Sequence, residues 1–128
     1  MWYASGEGGC QIDGIAGKMK LPSPDRAIVP IEKLTEYSLN PSHSEGRHKA
    51  IVFKSALGIT RENAEVLLEV LYRVVRTHEA IVSSRIRYGQ KYIIEFEMTH
   101  AGKTAIVRSA WIVRNGEDFP RLTSCYIP

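Results

Sequence analysis

The chain has 128 residues, 44% hydrophobic and 24% charged, with a formal net charge of +3. That length suits one domain with one core, and the composition is that of an ordinary globular protein. No stretch approaches the ~18 consecutive apolar residues of a membrane span. The N-terminus shows no positive segment followed by an apolar run, so no secretory signal is read there. Cys10 and Cys125 lie far apart and in no C-x-x-C spacing. This argues against a disulfide framework and leads us to expect a reducing cytoplasm.

In chain order, residues 1–20 are rich in glycine and show neither helical nor strand period, which predicts a flexible leader. A single α+β domain is expected over 21–128. "LPSPDRAIVP" holds three prolines in ten residues and should be extended. Pro30 suits the first turn of a helix. "IEKLTEYSL" then puts Ile31, Leu34 and Ser38 on one face, with Tyr37 beside them, and Asn40-Pro41 stops it. "NPSHSEG" reads as a loop. In "RHKAIVFKSALG" the spacing of Ala50, Phe53 and Leu57 predicts a second helix ended by Gly58. Thr60 is a suitable N-cap for a third. Its apolar stripe runs through Ala64, Leu67, Leu68, Leu71, Val74 and Val75.

From residue 80 the period changes to two. "AIVSSRIRY", "QKYIIEFEMTH", "KTAIVRSAWIVR" and "PRLTSCYIP" are four strand candidates separated by turn glycines. Tyr92, Ile94, Phe96 and Met98 alternate with charged neighbours, and so do Val107, Trp111 and Val113. That pattern predicts an antiparallel meander covered on one side and open on the other. Helices first, then sheet, is the expected order. Glu95, Arg108 and Arg114 should lie on the open face, with Phe96 and Val107 beneath the third helix.

The four histidines form no i, i+4 pair and no Cys/His cluster, so no metal site and no cofactor are expected. P-loop, G-x-S-x-G and dinucleotide motifs are missing too. Glu95 and Glu97 share a strand face, where solvated ions are the simpler reading. The basic residues offer more. From Arg47 to Arg61 there are four cations and no acidic residue. A helix start presents amides to an anion. Arg47 and Lys49 add charge there, and His48 can titrate near neutrality. "PRLTSCY" supplies Arg121, Thr123, Ser124 and Tyr126. Together these could hold a phosphate and move a proton. A solvated helix start explains the first group equally simply. Trp111 fits either a core position or a base-stacking platform, and it is carried as a substrate contact with Arg47, Arg108 and Thr123.

The residues Leu39, Asn40, Pro41, His43, Gly46, Lys49, Ala50, Phe53, Leu57 and Gly58, then Trp111, then Pro120, Arg121, Leu122, Ser124 and Tyr126 form a pattern. It reads L-N-P-x-H-x-x-G-x-x-K-A-x-x-F…L-G, a strand Trp, and P-R-L-x-[ST]-x-Y. It resembles a bacterial family of small domains of unknown function over about 21–128. More loosely, helices followed by an antiparallel meander resemble the fold shared by barnase, EndoU, colicin tRNases and RelE toxins. That resemblance implies a metal-independent, toxin-like ribonuclease with RNA as substrate and a small antitoxin-like protein as partner. By position, His48, Lys49, Arg121, Ser124 and Tyr126 would be catalytic. The alternative is a non-catalytic binding module on the open sheet face, or the neutralising component itself. One conflict stands: Arg121 and Thr123 share one strand face, while Leu122, Ser124 and Tyr126 share the other, unless the strand bulges.

Overall fold

A computed structural model describes residues 18–128. Of the leader expected over 1–20, residues 1–17 lie outside the described residues. A five-stranded antiparallel sheet runs in the order β1-β2-β3-β4-β5, with β1 at Lys18–Met19, β2 at Ala80–Ile86, β3 at Gly89–His100, β4 at Lys103–Arg114 and β5 at Arg121–Tyr126. Three helices lie between β1 and β2. The first, α1, is a short turn, Ile31–Lys33, that widens into a π-helical turn, Leu34–Ser38; α2 is Arg47–Leu57 and α3 is Ala64–Thr77.

The α+β class holds, but four strands become five. Lys18 pairs with Ile81 and Met19 with Ala80, so the end of the expected leader forms an edge strand ahead of the helices. Two residues among glycines carry no readable period, which is why the pattern hides this strand.

One face of the sheet holds the core. Ile94, Phe96, Val107, Trp111 and Leu122 are buried with Phe53 of α2 and with Leu67, Leu71 and Val75 of α3. Trp111 is fully buried; its Nε1–H donates to Ser109 Oγ (2.9 Å), which in turn donates to the Ile94 carbonyl (2.9 Å). A tryptophan sealed in this way, with its polar atom satisfied, packs the core and cannot stack on a substrate base. The expectation of a substrate contact at Trp111 is corrected accordingly.

The β3–β4 hairpin turns on Ala101 and Gly102, both at positive φ (54° and 77°), the geometry of a two-residue primed turn. That turn fixes the register, placing Glu95 opposite Arg108 and Phe96 opposite Val107. Glu95 and Arg114 are exposed and Arg108 is half-buried, all on the uncovered face. The hairpin also closes the end of α2: His100 Nδ1 donates to the Leu57 carbonyl (2.6 Å) and Lys103 Nζ to the Ser55 carbonyl (3.0 Å).

The stretch before α1 lies along the outer edge of β5. Leu122 N–H donates to the Ile28 carbonyl and Ile28 N–H to the Pro120 carbonyl, both at 3.0 Å. The Phe119 ring is flanked by the guanidinium groups of Arg26 (4.7 Å) and Arg121 (5.2 Å). This clasp ties residues 26–28 to the β4–β5 loop.

Because Leu71 is wholly buried between sheet and helix, Leu71→Ala should cost about 2–5 kcal/mol. Exposed Arg114→Ala should cost about 0–1 kcal/mol. Urea denaturation of the two variants checks both values and the sheet register with them.

Candidate functional site

The site begins with a close approach of backbones. Gly46 packs so tightly on α1 that a Cβ there would sit 2.0 Å from the Tyr37 carbonyl oxygen. Only glycine allows this approach. The preceding loop is wound by two side chains. Asn40 Oδ1 accepts from Ser42 N–H (2.9 Å), and His43 Nδ1 accepts from both Glu45 N–H and Gly46 N–H (3.0 Å each). Arg47 N–H goes to the His43 carbonyl at 3.0 Å. His43 therefore satisfies the amides of Glu45, Gly46 and Arg47 at the entry to α2, and its ring packs edge-on against Tyr37 (5.0 Å).

This arrangement delivers Lys49 from the first turn of α2 to Tyr37. Lys49 Nζ donates to Tyr37 Oη at 2.7 Å and lies 4.4 Å from the Tyr37 ring centroid and 5.4 Å from that of Tyr126. Lys49 is half-buried, and among the described residues no carboxylate forms a salt bridge with it. One of its three N–H donors is used, which leaves charge and donors for an anion.

Tyr126 reaches this point because β5 bulges. Ala110 pairs with Ser124 and Trp111 with Leu122, so Thr123 is an extra residue without a partner. The bulge moves Ser124 and Tyr126 to the uncovered face, with Arg121, while Leu122 and Cys125 stay in the core. This resolves the conflict left by strict alternation. Arg108 Nη1 donates to Tyr126 Oη (3.3 Å), and the same guanidinium is ion-paired with Glu95. Tyr126 and then Glu95 push the Arg108 guanidinium above its ordinary range.

One continuous line results: Tyr37, Lys49, Tyr126, Arg108, Glu95. Of the residues singled out from sequence, the structure brings Lys49, Tyr126 and Arg108 together. The others lie elsewhere. Arg47 and His48 are exposed on α2, outside this line. Arg121 lies five residues from Tyr126 along β5, roughly 15 Å away at ordinary strand rise. Its Nε and Nη2 both bond Glu117 at 3.0 Å, and this pairing holds the Glu117 carboxyl below the usual range. Thr123 Oγ1 donates to the Ala110 carbonyl (3.1 Å). Ser124 and Thr123 line an open cleft of about 600 Å³ beside β5, with Tyr37, Glu32 and Glu45. Tyr37, His43 and Glu95 complete the site; the first two were not among the sequence candidates, and Glu95 was read as a solvated ion. The turn at Ala101-Gly102 could have paired Glu95 with Arg108; nothing local announces Tyr37.

Cys125 is next to Tyr126 in the chain, but it is fully buried, and burial pushes its thiol far up. It offers no nucleophile. Among the described residues no group of three His, Cys, Asp or Glu side chains is placed to hold a metal ion, and no helix is long and apolar enough to cross a membrane.

In class, then, this is an α+β domain with a cationic, phenol-lined site at the edge of an antiparallel sheet. The chain belongs to the DUF6883 family, a domain of unknown function, whose profile matches residues 20–128. No curated protein and no solved structure matches it.

Two outcomes follow from this geometry. Gly46→Ala forces its methyl into the Tyr37 carbonyl and should destabilise the fold by about 1–3 kcal/mol. The loss should be read in a denaturant melt, with the Tyr37 ring resonances shifted in the folded state. Cys125 should resist iodoacetamide in the native protein and react fully in urea, as peptide mass mapping would show.

Proposed function

We propose that this domain is a metal-independent ribonuclease of the toxin type, with Lys49 at the centre of its site. The observation that carries this reading is the half-buried Lys49 ammonium, held by a phenol rather than neutralised by a carboxylate, with a second cation and a carboxylate beyond Tyr126. Metal-free RNA cleavage requires a base, a proton donor, and positive charge at the phosphorus.

The steps balance within this set. Glu95 takes the proton of a ribose 2′-hydroxyl. The 2′-oxygen attacks phosphorus, and the bond from phosphorus to the 5′-oxygen breaks. Tyr37, which accepts its hydrogen bond from Lys49, keeps its own proton to hand to the leaving 5′-oxygen. The products are a 2′,3′-cyclic phosphate and a 5′-hydroxyl end. Lys49, and Arg108 once Glu95 has taken the proton and lost its charge, offset the charge that builds on the phosphoryl oxygens. In this assignment Arg108 takes the role expected of Arg121, and Tyr37 that expected of His48. Tyr126 spaces the two cations, and Ser124 and Thr123 border the neighbouring cleft. A toxin of this kind, acting in the cytoplasm, calls for a small neutralising partner protein.

A second reading, a binding module without catalysis, draws support from Ile81 (40% exposed) and Ile106 (46% exposed) on the uncovered sheet face.

Lys49→Ala, Glu95→Gln and Tyr37→Phe should each slow cleavage of cellular RNA by about 10²- to 10³-fold while thermal melts stay close to wild type. Arg121→Ala should leave the rate within a few-fold, and excess EDTA should leave it unchanged. A wild-type protein that neither cuts RNA nor slows growth when expressed alone overturns the reading in favour of the binding module.

A further inference from the structure

On the uncovered sheet face Glu95, Arg108 and Tyr126 border a cleft whose remaining lining the cleavage steps do not use. It lies between β2 and β5, has a volume of about 410 Å³ and is lined also by Ile81, Val82, Ser83 and Ile93. Its size falls within the ~300–1,000 Å³ of small-ligand sites.

Beside the cleft β2 carries a second bulge. Val82 pairs with Tyr92 and Arg85 with Gln90, so Ser83 and Ser84 together face Lys91 alone. The bulge is pinned: Gln90 Nε2 donates to the Ser83 carbonyl (3.1 Å) and to the Ser84 carbonyl (3.2 Å). A bulge held by a side chain re-aims its strand in a fixed way. Ser83 shares the face of Ile81 by strand alternation, and the bulge turns Arg85 off that face, leaving Ser83 beside an apolar floor made by Ile81 and Ile93, which pair directly across the strands.

Floor and charge sit side by side. Ile93 is two residues before Glu95 on β3, and Arg108 is directly across from Glu95. A flat apolar surface beside a guanidinium suits a nucleotide better than a wholly apolar peptide. The planar base lies over the isoleucine carbons beside the Tyr126 ring, and its phosphate reaches the cation. We infer that this cleft seats one nucleobase of single-stranded RNA beside the phosphate held by Arg108 and Lys49, an inference that rests on the ribonuclease reading above. A base stacked within a duplex could not enter, so the substrate is single-stranded or locally unpaired.

The test uses the full chain and two uncleavable probes in fluorescence anisotropy: a 2′-deoxy hexamer of mixed sequence and a hexamer of the same length made wholly of abasic units. Both carry the same backbone charge. The base-bearing hexamer should bind roughly tenfold more tightly. Ile81→Ser should remove most of that difference and Ile81→Leu should keep it. Arg108→Gln should weaken both probes alike. Equal binding of the two probes overturns the inference, because the backbone alone would then be read. A base preference that survives Ile81→Ser overturns it as well, since the bases would sit elsewhere. Binding of neither probe assigns the face to a protein partner. Neither probe has a 2′-hydroxyl, so the result is independent of cleavage. A protein that prefers the base-bearing probe but leaves RNA intact keeps the subsite and loses the ribonuclease.

Discussion

A Cβ at residue 46 would lie 2.0 Å from the carbonyl oxygen of Tyr37, and that contact governs the geometry of the whole site. It locks the start of α2 onto the π-helical turn of α1. The turn is itself fixed from below: Leu39 N–H reaches back to the Leu34 carbonyl (2.8 Å), and the buried Ser38 hydroxyl donates to the Cys125 carbonyl (2.8 Å). Helix, π turn and last strand thus form one unit. Lys49, Tyr37 and Tyr126 come one from each part of it. A π turn at a site is a familiar way to hold a side chain that regular helix geometry would aim elsewhere.

The two bulges do comparable work in the sheet. Each inserts residues without a direct partner, and each changes what faces the uncovered side. In β5 the extra residue is Thr123. Without it, Ser124 and Tyr126 would share the face of Leu122 and point into the core. With it, Leu122 and Cys125 fill the core while Tyr126 meets Arg108. In β2 the extra residue turns Arg85 away from the face that Ile81 and Ser83 share. Local irregularity in β5 therefore creates the site, while regular pairing of β2, β3 and β4 floors the cleft next to it.

Much of the fold was legible because period is a direct record of burial. The stripe of α3 and the alternation of β3 and β4 come from strong, repeated apolar spacing, and these elements stand as expected. β1 was not legible, since two residues carry no period. The site was legible only in part. Lys49, Arg108 and Tyr126 stood out by charge and motif. Arg121 stood out equally, yet it serves the Phe119 clasp and pairs with Glu117. Charge in a sequence does not say which cation will be neutralised by a neighbour. Tyr37 and His43 were hidden for the opposite reason. Their roles arise from contacts across a loop, where His43 takes the Glu45 and Gly46 amides just ahead of α2.

The treatment of cations is the remaining clue to purpose. Arg26, Arg61, Arg108 and Arg121 each meet a carboxylate. None of the described lysines does, and among them Lys49 is the one that bonds a phenol. A carboxylate partner would fix the ammonium but also cancel its charge. A phenol oxygen fixes it just as well through one hydrogen bond and leaves the charge in place. The two ring faces nearby add a favourable field for a cation without supplying an anion. Half-burying a charge without pairing it costs free energy, so a fold concerned only with stability would do better with an apolar residue or a paired one. The backbone constraint at Gly46, the loop wound on His43 and the bulge at Thr123 all converge on keeping that single ammonium positioned and unneutralised, which is the condition a cation must meet to act on an incoming phosphate.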